Sequence, residues 1–114
     1  MPAKQPPVYP AQKRILTALG ERLRLARLRR KLTIDIACQR AGISRMTLFR
    51  AEAGSPAIAL GTLLRILSVL GLESDLEYLA RDDRLGRLLQ DQALPERRRR
   101  SARVKPTESK ERAT

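Results

Sequence analysis

Apolar residues recur along this chain at intervals of three and four, the period of an α-helix. Leu16, Leu19, Leu23 and Ala26 form the first such stripe, widened by Ile15, Leu25, Leu28 and Leu32. The opposite face holds Arg22, Arg24, Arg29, Arg30 and Lys31, so the pattern predicts an amphipathic helix over residues 11–31. Pro10 can sit in its first turn, where the missing N–H costs nothing. Thr33 reads as the N-cap of a second helix that runs to about Arg40, and Gly42 ends it in a left-handed turn. Ser44 caps a third helix reaching about Glu52, after which Gly54-Ser55-Pro56 breaks the chain. A fourth helix over 60–70 is apolar nearly all round, through Leu60, Leu63, Leu64, Ile66, Leu67 and Leu70, and Gly71 stops it. A short fifth helix covers 74–80 with Leu76 and Leu79 inward, and Asp82 or Asp83 caps one or two more turns over 84–90. No stretch alternates with period two for long enough to make a strand, and the fold class is all-α.

Domain limits follow from the same pattern. Residues 1–10 hold four prolines and form an extended arm. Residues 11–90 form the compact domain, and 91–114 a basic tail expected to be disordered. From Pro95 onward the tail has one large aliphatic residue, Val104, too little to offset the entropy of ordering. A core of this size is marginal alone, so a homodimer would help it. The fourth helix is either a central buried helix or, together with the fifth and residues 82–90, a two-fold dimer interface.

Charge changes the picture. The 114 residues carry 24 basic and 12 acidic side chains, a net charge of +12. Residues 21–50 have nine basic and two acidic residues, whereas 51–94 have four basic and seven acidic. The region of the second and third helices is therefore positive and the segment after it is not, a layout that suits nucleic acid on one side and protein on the other. The absence of histidine removes the commonest general base and metal ligand. The single cysteine, Cys38, lies on an apolar helix face and reads as a buried thiol. No Gly-rich phosphate loop is present. These absences speak against an enzyme and against a cofactor. No apolar run approaches the ~20 residues of a membrane span, and residues 1–10 lack a signal-like stretch, so a cytoplasmic protein without a membrane partner is expected.

Two short helices joined by Ala41-Gly42-Ile43-Ser44, the second beginning Ser-Arg-Met-Thr, make the unit that fits a DNA major groove. With Leu32-Thr33, Thr47-Leu48, Glu52, Gly54, Leu63-Leu64 and Leu70-Gly71-Leu72, this segment resembles the Cro/C1-type (XRE) phage-repressor helix-turn-helix family over roughly residues 16–80. Leu19-Gly20-Glu21-Arg22-Leu23, Leu60-Gly61-Thr62-Leu63-Leu64-Arg65 and Asp83-Arg84-Leu85-Gly86-Arg87-Leu88 are similar to the HipB-like antitoxin branch. The resemblance implies a five-helix DNA-binding domain with a short C-terminal helical extension. It further implies an inverted-repeat operator on double-stranded DNA, autorepression and a HipA-like kinase toxin as partner. A stand-alone regulator of the same family is the alternative. A basic RNA-associated protein is another, opposed by the scarcity of aromatics for base stacking, which are Tyr9, Phe49 and Tyr78 alone.

Within the third helix, Arg45 and Arg50 are placed to read guanine O6 and N7, and Met46 to pack on a thymine methyl. Ser44, Thr47 and Thr33 are placed to contact phosphates. Phe49 has three readings: a thymine methyl contact, a protein contact or a partly buried edge. In the resemblance, Arg27 of the first helix meets Glu52 at the end of the third and can also face a phosphate. Ile34 departs from the family, which usually has a phosphate-binding Gln there, and Ile36-Ala37 replaces a common Glu-Leu pair. The run Arg97, Arg98, Arg99, Arg100 reads as a phosphate tether, a protein-docking site or a solvated tail.

Overall fold

The computed structural model describes residues 6–101, with side chains as far as Leu94. Those residues form six helices and no strand: α1 (Pro10–Arg29), α2 (Ile34–Ala41), α3 (Arg45–Glu52), α4 (Leu60–Leu70), α5 (Ser74–Tyr78) and α6 (Arg84–Ser101). The chain divides into two units after Glu77.

Local chemistry accounts for most helix ends in the first unit. Pro10 is the first residue of α1, and the Gln12 side chain accepts from the Tyr9 N–H at 3.0 Å. Thr33 Oγ1 accepts from the Ile36 N–H at 3.1 Å and starts α2. Gly42 ends it at φ 69°, where its N–H reaches the Cys38 carbonyl at 2.8 Å. Ser44 Oγ accepts from the Thr47 N–H at 3.1 Å and starts α3. Gly71, at φ 73°, closes α4.

The end of α1 is different. Lys31 takes a left-handed φ of 56°. The Leu32 N–H then reaches back to the Arg27 carbonyl and the Lys31 N–H to that of Leu28, the paired bonds of a Schellman turn. Lysine pays a steric penalty there that glycine would not. The half-buried Leu32, packed against the core, holds the turn in place.

Leu23 and Ala26 of α1, Ala37 and Cys38 of α2, Leu48 and Ala51 of α3, and Ile66, Leu67 and Leu70 of α4 form the core. Leu76 of α5 packs against it. The width of the α1 stripe is overestimated by the sequence: Ile15 and Leu28 are exposed. On α4, Leu60 and Leu64 are also exposed, so this helix buries one face and leaves apolar side chains on another.

The most intimate contact joins α1 to the end of α3. A Cβ on Gly20 would fall 2.6 Å from the Glu52 carbonyl oxygen and 2.7 Å from the Gly54 nitrogen. A Cβ on Gly54, itself at φ 80°, would fall 2.6 Å from the Leu16 carbonyl oxygen. Backbone therefore lies directly on backbone, an approach open only to glycine.

In the second unit, Asp83 Oδ1 accepts from the Gly86 N–H at 2.9 Å and caps α6, while Asp82 pairs with Arg87 at 2.9 Å. The Arg81 guanidinium lies 5.1 Å from the centre of the Tyr78 ring. Expected to end near residue 90, α6 continues through Pro95 to Ser101. Residues 91–101, expected to be disordered, are thus helical here, and 102–114 lie outside the described residues. Pro95 removes one bond, to the carbonyl four residues earlier, and the run of arginines that follows has good helix propensity. Leu85, Leu88 and Leu89 form an exposed apolar stripe on α6; Leu79, expected to face inward, is exposed at 65%.

Candidate nucleic-acid interface

Helix α3 is anchored by its apolar residues and presents its charged ones. Leu48 and Ala51 are buried, three residues apart on one face. Arg45, Met46, Phe49 and Arg50 are exposed, with Met46 at 55% and Phe49 at 68%. The exposure of Phe49 removes the partly buried reading and leaves the two contact readings. The structure thus brings the candidate base-reading residues onto the outward surface of one short helix.

The hydroxyls expected at phosphates already have work at the helix ends. Ser44 Oγ and Thr47 Oγ1 are 2.9 Å apart, and Ser44 also accepts the α3 cap bond. One of the two hydroxyl protons joins the pair and the other is left to donate outward. Thr33, exposed, uses Oγ1 as an acceptor in its cap and keeps its own proton. Ile34 and Ile36 flank Asp35 at the start of α2, both partly exposed.

The orientation of α3 is fixed at its far end by Arg27 and Glu52, which the structure brings together. Arg27 Nε donates to Glu52 Oε2 at 2.7 Å, and Nη2 donates to Oε1 at 3.1 Å. Nη1 donates to the Leu32 carbonyl at 2.9 Å. One guanidinium thereby ties α1 to α3 and to the turn before α2. The paired side chains are 9% and 11% exposed. The hydrogen-bonded Glu52 carboxylate raises the Arg27 pKa above its ordinary value and outweighs the desolvation that opposes it. Arg27 itself is 7% exposed, with its guanidinium turned to Glu52 and the Leu32 carbonyl.

Two further observations concern α2. Cys38 is buried, and its Sγ lies 3.6 Å from the Ser44 carbonyl; burial raises the thiol pKa and keeps it neutral. Asp35 pairs with Arg45, its Oδ1 2.9 Å from Nε, a contact missed from sequence. The available signal was an acid in the first turn of α2, in a stretch that is otherwise almost wholly basic. The side chains of Arg97, Arg98, Arg99 and Arg100 lie outside the described ones.

A family model described as a helix-turn-helix domain matches residues 18–79. The chain belongs to this helix-turn-helix family. The match spans α1 to α5 and centres on the α2–turn–α3 unit, in which this family docks its second helix on DNA. No curated protein and no solved structure matches this helix-turn-helix chain. Among the described residues, no helix is long and apolar enough to cross a membrane.

Proposed function

We propose that this helix-turn-helix protein is a sequence-specific transcriptional repressor that binds an inverted-repeat operator as a homodimer. The carrying observation is the division of α3: Leu48 and Ala51 point into the core, while Arg45, Met46, Phe49 and Arg50 are presented outward. Arg45 and Arg50 read guanines, Met46 and Phe49 meet thymine methyls, and Ser44, Thr47 and Thr33 donate to the phosphate backbone. Two copies related by a two-fold axis place their α3 helices about 34 Å apart, on successive major grooves. The exposed Leu60 and Leu64 of α4, and the Leu85, Leu88 and Leu89 stripe of α6, supply apolar surface for self-association.

The narrower part of the proposal is an antitoxin role, in which the repressor also binds a HipA-like kinase toxin and controls its own operon. Its support is the resemblance of the segments at residues 19–23, 60–65 and 83–88 to HipB-like antitoxins. A kinase-like reading frame beside the gene supports that role. Its absence leaves the stand-alone regulator.

The deciding experiment is footprinting on the DNA upstream of the protein's own gene at several salt concentrations. The expected result is a bounded, two-fold symmetric protected region. Uniform protection without a bounded site overturns sequence-specific binding. Removal of residues 95–114 tests the arginine run as a tether: each lost phosphate contact flattens the salt dependence by about 0.9 in log–log slope. An unchanged slope removes the tether.

A further inference from the structure

Asp35 is the one acidic side chain described on the α2–turn–α3 unit ahead of the buried Glu52, and it faces the first residue of the recognition helix. The two side chains, 72% and 71% exposed, lie beyond the core that joins α2 to α3 through Ala37, Cys38 and Leu48. A pair this open contributes little to folding. On a surface that meets a polyanion, the carboxylate also weakens general attraction. Its geometry gives it a different use.

A guanidinium carries one N–H on Nε and two on each Nη. Asp35 Oδ1 lies 2.9 Å from Nε, the guanidinium nitrogen nearest the stem, and the Nη1–Nη2 edge is the far end of the group. That edge offers two parallel donors, spaced to meet guanine O6 and N7 together. An unrestrained arginine at the same place can swing to a phosphate, a contact that carries no sequence information. Holding the side chain beforehand also lowers the rotamer freedom lost on docking. We propose that Asp35 is a positioning residue that holds Arg45 for guanine and so exchanges general DNA affinity for base discrimination. The proposal rests on the reading of α3 as the recognition helix.

The test begins with selection of bound sequences from a random duplex library by the unsubstituted full chain. Dissociation constants follow for the selected duplex, each single base-pair variant and an unrelated duplex, with Asp35→Asn and Arg45→Lys as variants. Arg45→Lys keeps the charge but loses the two-pronged contact, and its lost preference identifies the base pair that Arg45 reads. At that G·C pair the unsubstituted protein discriminates by about tenfold or more. Asp35→Asn lowers this ratio to about threefold or less, leaves the other positions unchanged and tightens binding to unrelated DNA about two- to fivefold. Full discrimination by Asp35→Asn at that pair overturns the proposal. So does an equal loss at every position, which is the mark of a merely structural role, or an Arg45→Lys variant with no position-specific loss. Failure of the unsubstituted protein to enrich any sequence is a separate outcome: it overturns the recognition-helix reading itself, and the Asp35 assignment with it.

Discussion

The two ends of α3 each carry an arginine–carboxylate pair, at 2.9 Å for Arg45–Asp35 and 2.7 Å for Arg27–Glu52. Their surroundings are opposite. The first pair is more than two-thirds exposed and the second is about one-tenth exposed. Contact length therefore says almost nothing about what an ion pair does. In water the two charges are screened, and the pair contributes little to folding. In the interior, neither partner tolerates the loss of the other, because the survivor is stranded without solvent. One end of the helix is thus fixed in the interior and the other is free of it.

The largest expected effect comes from breaking the fixed end. Glu52→Ala strands the Arg27 guanidinium and lowers stability by about 3–5 kcal/mol. In a domain of this size that corresponds to a melting temperature lower by more than about 10 °C, and DNA affinity falls with it. Unchanged melting would mean that burial makes no difference between the two pairs. Next comes the backbone contact behind the fixed end. Gly20→Ala forces α1 and α3 apart and costs about 1–3 kcal/mol, as judged by urea denaturation. A cost near zero would show that the close approach relaxes without consequence.

At the free end the effects shrink. Ser44→Ala removes the cap of α3 and costs about 1 kcal/mol. Lys31→Gly relieves the left-handed turn at the end of α1 and raises stability by up to about 1 kcal/mol, which a small rise in melting temperature would register. Asp35→Asn changes folding stability by less than about 0.5 kcal/mol. A larger loss in the same melts would mean that the exposed pair supports the fold as well as facing outward.

The helix order and most helix ends were legible because they depend on chemistry a few residues long. Thr33, Ser44, Gly42 and Gly71 act through their own side chain or their lack of one. Arg27 and Glu52 were legible only through family resemblance, since no local rule joins residues 25 apart. The end of α1 was read late because Lys31 adopts a conformation that its own sequence disfavours and that Leu32 secures from the core. Helix α6 was read short because the residues beyond 90 carry too little apolar surface to predict order, although arginines favour a helix and an isolated proline removes only one hydrogen bond. The Asp35–Arg45 contact crosses the turn between two helices, so no helical spacing within either one reveals it. The same limit applies to Gly20 and Gly54, whose need to be glycine is set by a main chain distant in sequence.

That glycine junction has a dynamic consequence. Main chain pressed on main chain has no rotamers, so the seam between α1 and α3 cannot loosen by side-chain hopping. Any departure of α3 must move it as a body or unfold the unit. Amide protons of Leu48 and Ala51, in the buried part of α3, should exchange at rates near those of global opening. A ligand arriving at the outward surface then meets a helix whose ordering was completed during folding.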